Sequence, residues 1–273
     1  MPLTNSDTSI LKSKKLFVFD MDGTIYLGNS PFDFAIKFIN DLRANGKRVL
    51  FFTNNASHTG EFYVEKLRRL GFSATKDEIM TSGDVTIEFL KRHRAGSSVY
   101  LVATDELVEN FKDAGINIID GESEKADIVI TSFDTSLTYQ KLVNACRLIR
   151  EGAEYLSTHP DKNCPTENGF IPDSGAISAL VTESTGVRPT YFGKPYKETI
   201  EMICEATGTD PSDMVIFGDR LMTDIALGKR FGVTSVLVLT GESQMEDVLS
   251  LDPADAPDLV FDSLADVDNL LFR

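Results

Sequence analysis

Cysteine is scarce in this chain of 273 residues. Its three cysteines, Cys146, Cys164 and Cys204, form no CxxC pair and lie far apart in the sequence. They are too few and too scattered for the disulfide framework that staples many small secreted proteins. The sequence therefore predicts a protein of a reducing compartment, and we expect the cytoplasm.

Long apolar runs are also missing. No uninterrupted apolar stretch approaches the ~18 residues that suggest a membrane-spanning helix. The N-terminal segment MPLTNSDTSILKSKK contains no apolar core of the kind found in secretion signals. We therefore expect neither membrane insertion nor secretion.

Basic residues are in the minority. The chain has 27 Lys and Arg against 42 Asp and Glu, which gives a formal net charge of −15. Nucleic-acid polymers and anionic membranes bind basic surfaces, so neither is an expected partner. The acidity has a plainer alternative meaning, because a charged, solvated surface resists aggregation whatever the ligand.

What the chain does contain is enough apolar material for two domains, with hydrophobic residues at 42%. Short runs rich in Val, Ile and Phe alternate with helical periodicity, which is typical of an α/β domain on a parallel sheet. The clearest predicted strands are KKLFVFD, RVLFFTN, SSVYLVAT, ADIVITS, DMVIFGD and TSVLVLTG. Between the first two, apolar residues spaced i, i+3, i+4 and i+7 predict a helix that ends near Gly46. A second helix is predicted over 197–207, ending at Gly208.

Polar side chains follow several of these strands. Open parallel sheets bind ligands beyond the carboxyl ends of their strands, so these residues are candidates for one site. They are Asp20, Asp22 and Thr24 after the first strand, Thr53, Asn54 and Asn55 after the second, and Asp219 and Asp224 after DMVIFGD.

Asp20 and Asp22 form the most informative pair. If one carboxylate attacks a phosphoryl group, the other can protonate the leaving oxygen and then deprotonate water, a contribution of roughly 10²–10⁴-fold. Gly23 allows the backbone to turn closely around a ligand. The alternative is an ordinary Asp-Gly turn at the end of a strand.

Asp219 and Asp224 suggest a metal site. Clustered carboxylate oxygens are hard ligands suited to Mg²⁺, which usually takes one or two carboxylates together with substrate phosphate. The alternative is that Asp219 caps a helix beginning near Leu221. Together with Asp20 and Asp22 the cation is favoured, because several carboxylates at adjoining strand ends repel one another unless a cation neutralises them.

Two further segments carry groups that bind phosphate. Thr53, Asn54 and Asn55 offer hydroxyl, amide and backbone N–H donors at a predicted helix start, although such residues are also common helix caps. Lys194 lies between Gly193 and Pro195, where an ammonium could offset the charge of the nucleophile and the phosphate.

The ordered set resembles the four motifs of the haloacid dehalogenase superfamily of phosphohydrolases. The set consists of Asp20-x-Asp22-Gly-Thr, Thr53-Asn-Asn, Lys194 and Gly218-Asp219-x₄-Asp224. The resemblance implies Asp20 as nucleophile, Asp22 as general acid and base, and Thr53 and Lys194 as ligands of the phosphoryl group. It further implies Mg²⁺ bound by Asp20, the main-chain carbonyl of Asp22 and Asp219, with Asp224 supporting the metal directly or through water.

The resemblance also implies a domain organisation. About 140 positions separate Asn54 from Lys194, and the insertion is similar to the large α/β cap of the branch that includes 4-nitrophenylphosphatases, pyridoxal phosphatases, phosphoglycolate phosphatases and the N-acetylglucosamine-operon nucleotide phosphatase. We therefore expect a Rossmann-like core of residues 1–81 and 189–273 and a cap of residues 82–188.

In that branch the cap shapes the choice of substrate. The loop His159–Pro172 and the neighbouring Asp173–Gly175 are accordingly the candidate specificity elements, with a simple polar connection as the alternative. Many relatives have Gly where this chain has Asp173, and Cys164 lies in the loop; either residue could alter the charge and size of the pocket. Cap-to-cap dimers occur among similar proteins, which leaves a homodimer through the cap open.

The predicted function is hydrolysis of a small phosphomonoester with Mg²⁺ through an aspartyl-phosphate on Asp20. Nucleoside monophosphates, pyridoxal phosphate, phosphoglycolate and sugar phosphates all remain open as substrates. The rival hypotheses are a phosphomutase and a protein that binds a phosphorylated ligand or regulates through it. The aspartate nucleophile beside an acid argues against pure binding.

Overall fold

The computed structural model describes residues 7–122, 125–166 and 169–272. The chain divides into two compact units. The first takes in the chain up to Thr53, Val64–Met80 and the chain from Lys194, and the second takes in Asn54–Tyr63 and Thr81–Gly193. Each unit contains a sheet of parallel strands with helices, which confirms the predicted α/β class. The assignment of residues 82–188 as the cap stays a prediction.

The strands of the described residues are short, with two to six residues each. In chain order they are β1 (Leu16–Phe19), β2 (Tyr26–Leu27), β3 (Ser30–Pro31), β4 (Arg48–Thr53), β5 (Ile79–Thr81), β6 (Ser98–Val102), β7 (Asn117–Ile118), β8 (Ile128–Thr131), β9 (Glu154–Ser157), β10 (Asn163–Thr166), β11 (Gly169–Pro172), β12 (Thr190–Tyr191), β13 (Met214–Gly218), β14 (Thr234–Val238) and β15 (Leu259–Phe261).

The helices alternate with these strands. They are α1 (Ile10–Ser13), α2 (Asp33–Ala44), α3 (Gly60–Arg69), α4 (Ser82–His93), α5 (Asp105–Asp113), α6 (Tyr139–Arg150), α7 (Ser174–Thr185), α8 (Lys197–Thr207), α9 (Ala226–Phe231), α10 (Met245–Leu249) and α11 (Leu264–Phe272). Single turns of 3₁₀-helix cover Lys76–Glu78 and Pro211–Asp213, and a π-helical turn covers Leu221–Ile225.

The sheet of the first unit has the order β15-β14-β13-β1-β4-β5. Strand β1 pairs in parallel with β13 and with β4, so that Phe19 lies beside Phe217 on one side and Phe51 on the other. Every residue of β1 and β13 is buried, as expected for parallel strands covered on both faces. The carboxyl ends of β1, β4 and β13 therefore meet at one edge of this sheet.

Aromatic packing holds the centre of this sheet. The rings of Phe19 and Phe217 are stacked with centroids 5.0 Å apart, and Phe38 of α2 meets both edge-on. Such ring pairs add about 0.5–1.5 kcal/mol to the burial of their area. The strands that carry the polar strand-end residues are thus among the most firmly packed parts of the unit.

Glycine ends two of the predicted helices. Helix α2 stops at Ala44, and Gly46 follows with a φ of +71°, which only glycine adopts readily. Helix α8 covers 197–207 as predicted and ends at Gly208, whose φ is +60°.

The second unit has its own five-stranded sheet, in the order β12-β9-β8-β6-β7, with each neighbouring pair parallel. Helices α6 and α7 pack on a core that includes Val102, Val129 and Leu148. The segment expected to be a loop, His159–Pro172, is a loop only in part. Strands β10 and β11 form an antiparallel hairpin within it, and residues 167 and 168 lie outside the described residues.

The described residues include no helix with the length and hydropathy needed to cross a bilayer. No disulfide joins the three cysteines, all of which lie within the described ranges.

Candidate active site

Asp20 and Asp22 leave β1 through a tight turn. The N–H of Asp20 donates to the carbonyl of Phe217 at 2.8 Å, which extends the pairing with β13 beyond the strand. Gly23 then reverses the chain with a φ of +83°, and its N–H donates to the carbonyl of Tyr26 at 2.8 Å.

Burial raises the pKa of Asp22. The charge of Lys66 opposes this rise, and the charge of Asp20 adds to it. A carboxyl with a raised pKa is suited to holding a proton for a leaving group.

Lys194 is the central cation of the first unit's site. It is 2% exposed, and its Nζ lies 2.5 Å from Oδ1 of Asp20 and 2.7 Å from Oδ1 of Asp224. It also donates to the carbonyl of Phe52 at 3.3 Å, at the end of β4. Burial alone would lower the pKa of Lys194, but the two carboxylates more than offset this and raise it above its usual value. The ammonium is therefore charged.

The two carboxylates that bind this ammonium meet a third, that of Asp219. Asp20, Asp219 and Asp224 each contribute an oxygen, and these oxygens lie within 4.8 Å of one another. Asp224 is fully buried, and Asp219 is 2% exposed. Burial is the largest cause that raises the pKa of both Asp219 and Asp224, and Asp20 raises each of them further.

This donor set fits a divalent cation. Three carboxylates against one ammonium leave the cluster negative, and its ligands are all oxygens, which Mg²⁺ and Ca²⁺ prefer. A bound cation would offset the repulsion between these carboxylates, which adds to the effect of burial on their pKa values. The side-chain carboxylate of Asp22 is not one of the three; the ligand implied at that position is its main-chain carbonyl, which stays a prediction.

Asp219 is not the cap of the helical turn that begins at Leu221. The following helical turn begins after Arg220, and the Asp219 carboxylate points elsewhere: its Oδ2 accepts the N–H of Glu242 at 2.7 Å. The motif residues did not reveal this partner. The signal available was a glycine, Gly241, at the end of the predicted strand TSVLVLTG, on the edge where the other motifs lie.

Sequence reasoning also missed two cations near these carboxylates. The ammonium of Lys66 on α3 lies 4.1 Å from the ring centroid of Tyr26, and its charge favours the ionised form of Asp22. Arg220 favours the ionised forms of Asp22, Asp219 and Asp224, and it pairs with Glu242 at 3.1 Å. In the sequence, neither residue lies at a motif spacing that would distinguish it from an ordinary surface residue.

The motif Thr53-Asn54-Asn55 is divided between the units. Thr53 is buried at the end of β4 in the first unit, whereas Asn54 and Asn55 belong to the second. Asn54 donates from Nδ2 to both carboxylate oxygens of Asp161, at 3.2 and 3.3 Å. Asn55 accepts through Oδ1 from the N–H and the hydroxyl of Ser57, at 3.0 and 2.7 Å. Phosphate binding by these three residues stays a prediction.

The candidate specificity elements of the second unit surround a buried histidine. His159 is fully buried, with Nε2 3.4 Å from Asp173 and Nδ1 3.8 Å from Asp161. Asp173 also caps α7 by accepting the N–H of Ser174 at 2.6 Å. In the hairpin, the side chain of Phe170 is 68% exposed. A role of these residues in substrate choice stays a prediction.

Comparison with known proteins agrees with these observations. Residues 17–117 match the family described as haloacid dehalogenase-like hydrolase, and residues 191–267 match a second family of such hydrolases. The chain is 37% identical over 238 residues to an acid sugar phosphatase of Staphylococcus aureus (strain MRSA252), covering 87% of this chain and 91% of the relative.

Solved structures agree as well. A 4-nitrophenylphosphatase from Thermotoga maritima superposes with a TM-score of 0.90 at 39% identity, over 96% of this chain and 99% of that one. A glycerol phosphate phosphatase from Mycobacterium tuberculosis, solved in complex with magnesium, superposes with a TM-score of 0.88 at 28% identity, over 96% of this chain and 79% of that one. The chain therefore belongs to the haloacid dehalogenase-like hydrolases, in the phosphatase branch known as subfamily IIA, as the sequence predicted.

Proposed function

We propose that this chain hydrolyses small phosphomonoesters with Mg²⁺, by way of an aspartyl-phosphate on Asp20. The observation that carries the proposal is the buried ammonium of Lys194, which bonds to both Asp20 and Asp224 while Asp219 lies within 4.8 Å of them. Phosphoryl transfer proceeds chiefly by positioning and by neutralising charge, and this cluster supplies both.

The chain's own residues account for the two chemical steps. Lys194 holds Oδ1 of Asp20 and so orients the carboxylate that attacks phosphorus. As the bond to the leaving oxygen breaks, Asp22 gives that oxygen a proton and the alcohol departs. Asp22 then takes a proton from water, which attacks the phosphorus of the aspartyl-phosphate. Inorganic phosphate leaves, and the Asp20 carboxylate is regenerated.

Asp20, Asp219, Asp224 and the main-chain carbonyl of Asp22 would hold the cation. When bound, Mg²⁺ supplies positive charge that draws phosphate oxygens towards a cluster of carboxylates which would otherwise repel them. The relative solved with magnesium supports this choice of metal.

Sugar phosphates head the list of substrates to test. One relative is named for sugar phosphates and another for glycerol phosphate, and both match most of this chain. The cysteine usage of the chain supports a cytoplasmic location for such an enzyme.

Turnover of 4-nitrophenyl phosphate tests the chemistry. Wild type should release 4-nitrophenol only with Mg²⁺, and Asp20→Asn should be inactive because a carboxamide cannot form the acyl-phosphate. Asp33→Asn makes the same chemical change at an exposed position of α2 in the same unit and should keep wild-type activity. Metal-independent turnover, or full activity in Asp20→Asn, would contradict the mechanism.

Product analysis separates the enzymatic rival. A phosphomutase would return a sugar phosphate isomer from a sugar phosphate, whereas the proposed hydrolase releases one inorganic phosphate per sugar. A panel of sugar phosphates, nucleoside monophosphates, pyridoxal phosphate and phosphoglycolate, compared by kcat/KM, then identifies the substrate class.

A further inference from the structure

The turn that follows β14 contacts the catalytic motifs, although it carries no motif residue of its own. This turn, residues 239–243, begins where β14 ends. The hydroxyl of Thr240 donates to the carbonyl of Gly23 at 2.6 Å. The N–H of Glu242 donates to Oδ2 of Asp219 at 2.7 Å, and the N–H of Ser243 donates to the Asp219 carbonyl at 3.1 Å.

These bonds tie together two segments far apart in the sequence. Gly23 belongs to the turn after β1, and Asp219 follows β13. The 239–243 turn forms hydrogen bonds with both segments. In addition, the hydroxyl oxygen of Ser243 accepts the N–H of Leu221 at 3.3 Å. Ser243 is buried, so the bonds on this side of the turn are shielded from water.

Glycine at position 241 is required by space. A Cβ built on Gly241 would lie 2.0 Å from Oδ2 and 2.5 Å from Cγ of Asp219. The φ of Gly241 is not in the left-handed region, so the backbone conformation does not by itself require glycine at this position. On the other side, a Cβ on Gly23 would lie 2.5 Å from the same Oδ2. Two backbone turns thus enclose one carboxylate, and the Glu242 N–H fixes its rotation.

We propose that the 239–243 turn is a positioning element, which sets the orientation of the Asp219 carboxylate and thereby the affinity of the site for its divalent cation. The proposal rests on the proposed function for the metal site. Thr240 acts by fixing the turn against the Gly23 carbonyl, and Gly241 acts by leaving room for the carboxylate. Loss of a group that orients a metal ligand typically weakens metal affinity 10- to 100-fold.

Four variants test this role. Thr240→Val removes the hydroxyl at similar size, and Thr240→Ser retains it. Gly241→Ala inserts a methyl group where the Asp219 carboxylate now lies. Ser235→Ala is the matched control, because Ser235 loses a hydroxyl that bonds to Asp258 at 3.0 Å, near the start of the strand whose far end carries the turn.

Mg²⁺ affinity is measured in two ways. The first is the rise in melting temperature during a Mg²⁺ titration of chelator-treated protein, which requires no turnover. The second is the Mg²⁺ concentration for half-maximal hydrolysis of 4-nitrophenyl phosphate. Thr240→Val and Gly241→Ala should weaken affinity at least 10-fold by both measures. Thr240→Ser should stay within about threefold of wild type, and Ser235→Ala should lower the melting temperature at unchanged Mg²⁺ affinity.

The two Thr240 variants decide the matter even if Gly241→Ala fails to fold. Wild-type Mg²⁺ affinity in Thr240→Val overturns the proposal, as does an equal loss in Ser235→Ala. If the titrations follow the expected pattern while no phosphomonoester is hydrolysed, the proposed function fails and the positioning role stands. A wild type that binds no Mg²⁺ overturns both.

Discussion

Replacement of Lys194 by methionine is the most demanding test of the active site. Methionine keeps the length and packing of the stem but removes the only ammonium within 2.7 Å of Asp20 and Asp224 in the described structure. Because Lys194 and Asp224 are almost entirely buried, water cannot take over the neutralisation of the remaining carboxylates.

Breaking a buried ion pair by removing one partner costs about 3–5 kcal/mol. We expect the lower end of this energy range for two reasons. The Asp20 side chain is 13% exposed, and folding of the methionine variant no longer desolvates the Lys194 ammonium. A loss of ~3 kcal/mol corresponds to a fall in melting temperature of about 6–12 °C for a protein of this size. Turnover should fall roughly 10²–10³-fold, the usual effect of removing one group that stabilises transition-state charge.

The assay is thermal unfolding in chelator, together with kcat for 4-nitrophenyl phosphate at saturating Mg²⁺. Lys197→Met, three residues away, is the control. Its ammonium pairs with Glu201 across one turn of α8 at the surface, so neither property should change. If Lys194→Met and Lys197→Met melt together and turn over substrate alike, the reasoning from buried charge is refuted.

Two further predictions separate chemistry from scaffolding. Asp22→Asn should lower kcat by roughly 10²–10⁴-fold, measured with a sugar phosphate, because a carboxamide can neither give a proton to an alkoxide leaving group nor take one from water. A kcat near wild type would remove Asp22 from the mechanism. Tyr155→Phe should lower the unfolding free energy by about 1 kcal/mol, measured by denaturant melting, because the buried hydroxyl bonded to Thr131 at 3.2 Å is lost. Its kcat should be unchanged, and a large fall in kcat would show that this bond serves the reaction.

Much of the candidate site could be predicted because the strands that lead into it have a clear sequence pattern. Strands β1, β4 and β13 are buried on both faces, so they read as continuous apolar runs, and each run ends in polar residues. Other elements left weaker signals. The edge strand β15 has three residues, and the hairpin of β10 and β11 contains Pro165 and Pro172, which favoured a loop.

The 239–243 turn was beyond side-chain reasoning for a different reason. The turn orients Asp219 through backbone N–H groups and through the absence of a Cβ at Gly241. In the sequence, such a segment cannot be distinguished from an ordinary turn. The bond from Asn54 to Asp161 spans 107 positions and depends on how the second unit folds. Site residues that act through side chains in short motifs can be predicted from the sequence. Contacts made by the backbone of a distant turn cannot.

Charge balance in the buried groups distinguishes the site from the scaffold and bears on the binding-protein rival. Elsewhere, the buried carboxylate of Asp134 meets one ammonium, that of Lys141, at 2.7 Å. At the carboxyl ends of the first unit's strands, Asp20 and Asp224 share the ammonium of Lys194, and Asp219 adds a third carboxylate with an oxygen within 4.8 Å of theirs. A protein that bound phosphate without a metal would need surplus positive charge there, because three carboxylates repel a phosphate dianion. The surplus of negative charge instead suits a cation that recruits phosphate to an aspartate, which weighs against simple binding.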